Sequence, residues 1–312
     1  PMPFDSGSQS LIFCQLPQDL PDDAVALFNQ KRAGSLSTVL DEPQTGWVSG
    51  RHLLETRIDE ETASMGGYLH LNLRTAVRKI PTALFKAECR IEELALIQAN
   101  NSFAISRKQR KEIREAVTER LIKDMPPSLQ GIPCVIDHNN SILILGTASQ
   151  RQIDAFVAYF NDTLRFDPMP LYPEVLAEDV AKVDPDSLFP LQFTSDKDKL
   201  DTTPALGRDF VTWLWFFITE RGGTFELDEL GRFAVNIDGP LTFSCEKSSA
   251  MESVVRKGMP TISAEAKAAL AVGKKLTRAK FILVREQEEW SFTLDADTLA
   301  CRSTKLPAGE QL

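Results

Sequence analysis

The chain has 312 residues, 43% of them hydrophobic and 25% charged, with a formal net charge of −9. This is the composition of a folded globular protein and excludes long disorder and fibrous repeats. No apolar run reaches the ~18 residues that a spanning helix needs, and no basic stretch leads into an apolar one at the start, so neither a membrane span nor secretion is expected.

Residues 10–16, SLIFCQL, read as a first strand. Pro21-Asp22-Asp23 opens an amphipathic helix through Lys31, with Val25, Leu27 and Phe28 apolar. Gly46-Trp47-Val48 and residues 68–74 read as strands. The second alternates Tyr68, His70 and Asn72 against Leu69, Leu71 and Leu73. After Pro81 a helix runs to residue 98, since proline suits a helix N-terminus. Ser106 caps the next helix, over 107–123, which Pro126-Pro127 ends; its apolar stripe is Ile113, Val117 and Leu121. Strands over 134–137 and 142–145 flank an Asn139-Asn140 turn, a hairpin signal. Ser149 caps a helix to residue 164 that buries Ile153, Phe156, Val157 and Phe160. Residues 167–205, rich in proline and aspartate, read as a long connection.

The second half opens with a buried helix over 209–219. Strands follow near 224–227, 232–237 and 240–245, then a short helix after Ser263 to residue 270. A terminal hairpin takes in 278–284 and 290–294. Hairpins and helices without a regular βαβ repeat indicate α+β, with antiparallel sheets and packed helices. Two domains are expected, 1–185 and 205–312, the first with a basic helical arm at roughly 75–125.

Charge is unevenly placed. Residues 1–73 carry net −6, residues 74–123 +6, residues 124–246 −12 and residues 247–312 +3. An acidic protein can hold a polyanion if its cations are confined to a face, groove or channel, because fields beyond ~8–10 Å are screened. A basic segment is also commonly no more than a solvated helix face, so the pattern alone leaves both readings open.

Enzyme chemistry is sparse. His52, His70 and His138 lie far apart with no Cys or His at ligand spacing, which argues against structural zinc. There is no Walker A loop, no GxGxxG and no GxSxG. Five scattered cysteines fit a reducing cytoplasm. Cys134 and His138 are four apart, but the hairpin sends His138 to its turn and leaves Cys134 a core thiol. A magnesium nuclease would have to draw on Asp196, Asp198 and Asp201, or on Asp295 and Asp297, which read as solvated loop acids. Phe210, Trp213, Trp215, Phe216 and Phe217 could form a base-stacking platform, though their density and spacing read as core. No catalytic residue, metal ligand or cofactor is assigned.

The basic residues are better organised. Arg107, Lys111 and Arg114 recur at i, i+4 and i+7 with Lys108 and Arg110 beside them, a ridge opposite the Ile113/Val117/Leu121 stripe. Upstream, Arg74, Arg78 and Lys79 lead into the preceding helix. A second cluster runs Gly273-Lys274-Lys275-Leu276-Thr277-Arg278-Ala279-Lys280, with Arg256 and Lys257 before it. Long cationic arms neutralise phosphates and release counterions without reading sequence. Gly273 would let the backbone approach a ligand closely.

The order of these segments resembles the bacterial recombination-associated protein RdgC family. The likeness runs through Gly46-Trp47-Val48, RTAVRKIPTALFKAECRIEEL, the charged helices, Val135-Ile136-Asp137, ILILGTAS, DPMPLYPE and EAKAALAVGKKL, and spans residues 10–305. The resemblance implies a cytoplasmic, nucleoid-associated homodimer with a protruding charged helical pair, closed into a ring around double-stranded DNA. It implies binding without sequence preference, antagonism of the RecA recombinase, no cofactor and no membrane; some members carry the label of exonuclease. It also implies that Lys274 stands where the family's GK lysine contacts DNA, and that Arg256 and Lys257 fall near a basic segment at ring closure. The family's LLPRAF run is here Leu121-Ile-Lys-Asp-Met-Pro-Pro127, with Pro126 in place of the interface phenylalanine.

The function expected is therefore non-enzymatic, sequence-independent duplex-DNA binding by a dimer that limits recombination. Its expected contacts are Lys274, Lys275, Arg256, Lys257, Arg78, Lys79, Arg107, Lys108, Lys111, Arg114 and Arg278. The alternatives are a metal-dependent exonuclease and a protein-interaction module without a DNA role.

Overall fold

The computed structural model describes residues 8–101, 103–194, 205–245 and 251–307. In chain order its first half holds β1 (Gln9–Gln15), α1 (Ala24–Gln30), β2 (Gln44–Ser49), α2 (Glu60–Ala63), β3 (Ser64–Met65), β4 (Tyr68–Arg78), α3 (Thr82–Ala99), α4 (Arg107–Ile122), β5 (Pro127–Asp137), β6 (Ile142–Leu145) and α5 (Gln150–Leu164). The second half holds β7 (Met169–Pro170), α6 (Pro173–Val175), α7 (Leu206–Arg221), β8 (Thr224–Leu227), β9 (Gly231–Ser244), β10 (Glu252–Val255), α8 (Ala264–Ala271), β11 (Lys275–Arg285), β12 (Glu288–Asp295) and β13 (Cys301–Lys305). The class is α+β with antiparallel sheet.

The chain divides into two compact units that do not follow the expected halves 1–185 and 205–312. One takes in the described residues of 1–22, 66–69 and 133–312; the other takes in those of 23–65 and 70–132.

In the first unit the strands run β10-β9-β11-β12-β13-β1-β6-β5. The Asn139-Asn140 hairpin forms as expected, with Cys134 opposite Leu145 and Asp137 opposite Ile142. The Asp137 carboxylate accepts from the Asn139 and Asn140 amides and fixes the turn. Three features depart from the sequence reading. Residues 232–237 and 240–245 belong to one long strand, β9. The short edge strand β10 pairs with it, Ser253 opposite Phe243. The terminal hairpin gains a third strand, β13, which pairs with β1 and sets Leu11 opposite Cys301. Nothing local to residues 301–305 announces a partner nearly the whole chain away.

The core of this unit lies where α7 and α8 meet the sheet. Val211 and Trp215 of α7 and Ala266 and Leu270 of α8 are buried with Leu241, Phe243, Leu276 and Phe281 of β9 and β11. Each large apolar side chain so buried contributes about 1.5–3 kcal/mol. Gly207 is required at the start of α7, because a Cβ there would stand 1.8 Å from the Ala296 carbonyl oxygen.

In the second unit β2 pairs antiparallel with β4, Trp47 opposite Leu73. The Phe28 ring of α1 meets Trp47 edge-on at 4.9 Å. Gly46 lets the chain pass Ala33, whose Cα would lie 2.4 Å from a Cβ. The alternation read in β4 breaks at Asn72 and Arg74, which are buried like their apolar neighbours. Arg74 donates to the Leu53 and Gly34 carbonyls, and burial lowers its pKa. Helices α3 and α4 pack antiparallel: Arg110 reaches Glu93, and Arg120 reaches Glu88 and Glu92.

Candidate nucleic-acid interface

The exposed cations concentrate at the start of α4. Ser106 and Gln109 form a reciprocal capping box there, at 3.2 and 2.9 Å, which fixes the first turn. That turn holds no acid. Arg107, Lys108 and Arg110 crowd it instead, with Lys111 just beyond, and all are exposed. A helix N-terminus carries about half a positive charge, so each cation there costs about 0.3–1 kcal/mol at low salt. Lys108 and Lys111 have only loose i,i+4 partners, Glu112 at 3.9 Å and Glu115 at 3.6 Å. Arg107 and Arg114 have no ion pair within 4 Å among the described residues. Arg110 is drawn to Glu93 of α3, so the open ridge is Arg107, Lys108, Lys111 and Arg114. Lys79 is exposed just beyond β4 in the same unit.

Arg78 has a different use. Its Nε donates to the Val39 carbonyl at 2.8 Å, and Nη1 donates to the Lys123 carbonyl at 3.0 Å and to that of Met125. The guanidinium ties the end of β4 to the exit of α4 and has little left for a phosphate.

The Gly273-Lys274-Lys275 segment is turned inward. Lys274 is 4% exposed and its Nζ donates to Ser253 of β10 at 2.6 Å. Lys275, 6% exposed, pairs with Asp209 in the first turn of α7 at 2.6 Å. The backbone amide beyond, Leu276, donates to Thr212 of the same helix. These lysines, expected to reach phosphates, fasten the start of β11 to its neighbours. Arg278 is exposed but bound to Asp295 at 3.0 Å. Arg256 and Lys257 are exposed after β10, with Lys257 at φ +65°. The register sets Val255 opposite Leu241, and Leu241 opposite Ala279, so these two cations emerge two strands from Arg278.

The remaining candidates resolve separately. Asp297 is held by Arg208 at 2.7 Å, and Asp295 by Arg278, so the two acids do not converge. Asp196, Asp198 and Asp201 lie outside the described residues. Among the described residues no three His, Cys, Asp or Glu side chains are grouped to hold a metal ion, and no helix is long and apolar enough to cross a membrane. Cys134 is buried and His138 exposed. The aromatic helix α7 corrects its reading as core. Trp215 is buried and donates to the Thr261 carbonyl, but Phe210, Trp213 and Phe216 are 42–44% exposed. Asp209 and Ser253, the partners that draw the two lysines inward, had no signal in the sequence beyond an acid at the start of a helix.

An α+β protein with antiparallel sheet, carrying an exposed cationic helix start, is the class that this geometry defines. The profile of the family described as "Putative exonuclease, RdgC" matches residues 22–182. The recombination-associated protein RdgC of Cupriavidus necator is 29% identical over 158 residues, which cover 50% of this chain and 49% of that protein. The chain thus spans about half the length of that curated relative. It belongs to the RdgC family.

Proposed function

We propose that this protein binds double-stranded DNA without sequence preference, as a dimer closed into a ring, and so limits the access of a RecA-type recombinase in homologous recombination. The observation that carries the reading is the open cationic start of α4. Four cations stand there with little to neutralise them, two of them, Arg107 and Lys108, in the first turn against the helix dipole, a cost in stability that a polyanion would offset. Self-association has support in α3, where Leu84, Ala87, Ile91 and Leu94 are exposed at heptad spacing, the seam one helix offers another. Arg256, Lys257 and Lys79 are secondary phosphate contacts; Lys274, Lys275 and Arg78 position backbone rather than DNA. A ring lined by such cations would leave the acidic stretches outward in the cytoplasm and nucleoid.

The reading is binding without cleavage, supported by the separate arginine partners of Asp295 and Asp297. The test is fluorescence anisotropy of a labelled random-sequence duplex across salt, with a parallel incubation in magnesium and manganese. Binding with a log–log slope steeper than about −3 is expected, because each neutralised phosphate adds about −0.9. Metal-dependent loss of label that a single Asp substitution abolishes would replace this reading with an exonuclease. Absence of binding at low salt would leave a protein-interaction module.

A further inference from the structure

We propose that the first unit carries a binding site for a small amphipathic anion, an acyl or aromatic body ending in a carboxylate, in a cleft on one face of its sheet. The face is unusual for what it exposes. Strands β1, β5 and β6 bury Ile12 and Cys14, Cys134 and Ile136, and Leu143 and Leu145 as one set of alternates. An antiparallel sheet buried on one side ordinarily turns polar residues to the other. Here the other set is Phe13, Val135 and Ile144, and it continues into Trp290 and Phe292 of β12. Together with Phe233 of β9 they line a cavity of about 540 Å³, within the 300–1,000 Å³ range of small-molecule sites. Phe13 is 40% exposed, so the cleft is open to solvent.

Among the described residues Arg285 is the one charged residue in the lining. Its guanidinium lies 5.6 Å from the ring centres of both Phe233 and Trp290, within cation–π range of each. Glu288, outside the lining, takes the Nε and Nη2 edge. The Nη1 edge has only a 3.5 Å contact with the Leu230 carbonyl, so its donors remain for an acceptor on a ligand. The apolar walls suit a hydrocarbon or aromatic body, and the single cation suits one anionic end. A sugar-phosphate backbone has no such body, and the site uses none of the α4 cations.

The experiment is isothermal titration of the full chain with decanoate and, separately, with decanol. Saturable one-to-one binding of decanoate is expected. Phe13→Glu should weaken it at least tenfold, and so should Leu230→Glu, a change at an exposed turn that leaves the strands intact. Arg285→Met should weaken decanoate at least tenfold and leave decanol unchanged. The proposal is overturned if decanoate gives no saturable heat, if both glutamate variants bind as before, or if Arg285→Met treats the two probes alike. Sedimentation of Leu230→Glu supplies one more outcome: a changed oligomeric state would make the cleft an interface between copies and overturn the ligand site.

Discussion

The start of α4 and the start of β11 each set cations side by side, and the fold treats them oppositely. On α4 the apolar stripe occupies one side, so Arg107, Lys108, Lys111 and Arg114 are left in solvent without strong partners. At β11 the strand begins against α7 and two strands in from an edge, and its first residues, Lys275 and Leu276, are both buried. Lys274 and Lys275 are carried inside, Lys274 bonded to Ser253 and Lys275 ion-paired with Asp209. The same residue types thus make an exposed surface in one unit and an internal fastening in the other. What separates them is the packing of the element that carries them, and local charge density is a poor guide to it.

The sharpest way to break this contrast is at Lys275. Lys275→Met leaves Asp209 without its partner in a mostly buried place and should cost about 3–5 kcal/mol in urea unfolding, whereas adding Asp209→Leu should restore most of it. Recovery in the double variant is the outcome that identifies a fastening; an unchanged single variant would return Lys275 to the surface. Next is Arg78. Arg78→Met removes both the charge and the planar fork that serves several carbonyls, and a loss of about 1–3 kcal/mol is expected with an unchanged DNA salt slope. A shallower slope would make Arg78 a phosphate contact after all.

On α4 stability and binding should move in opposite directions. Replacing Arg107, Lys111 and Arg114 together by alanine should flatten the salt slope by about 2–3 units while thermal stability holds or rises, removal of Arg107 from the first turn being worth about 0.3–1 kcal/mol against the dipole. Lys274→Ala should leave the slope where it was. The smallest effect expected is at the thiols. Burial pushes Cys14 up to about 12 and Cys301 up to about 11. A thiol reagent at pH 8 should modify neither until urea is added. Because the folded thiols ionise later than the unfolded ones, they contribute stability that is complete below about pH 8.5 and declines as pH climbs toward their folded values, readable as a falling unfolding midpoint.

The elements with local signals were legible in the sequence. Caps at Ser106 and Ser263, the Asn139-Asn140 turn and the stripe of α5 each placed an element within a few residues. Elements defined by distant partners were not. β10 and β13 are short and acquire meaning only beside β9 and β1, and β9 was read as two strands because Gly239-Pro240 interrupts its pattern. The candidate site divides the same way. The α4 ridge follows from helical spacing and is exposed, with Arg110 drawn to Glu93. The burial of Lys274 and Lys275 and the carbonyl bonds of Arg78 depend on what lies beside them, as does the exposure of Phe210, Trp213 and Phe216, and periodicity carries no record of it.

The pairing of β1 with β13 also sets a timetable for synthesis. The second unit is spelled out, apart from residues 66–69, between residues 23 and 132, so its contacts are available once that stretch has left the ribosome. The sheet of the first unit starts with residue 9 and acquires the strand beside it only at residues 301–305. Until then the Gln9–Leu11 end of β1 lacks its partner on that side, β7 covering only Cys14 and Gln15, and Phe13 is already in place on its face. Long-range pairing of this kind is slow, and an open edge is a template for the wrong partner. A nascent chain would therefore carry one finished unit and one vulnerable one for most of its elongation, and crowding by sister chains would tell on the sheet before it told on the cationic helix.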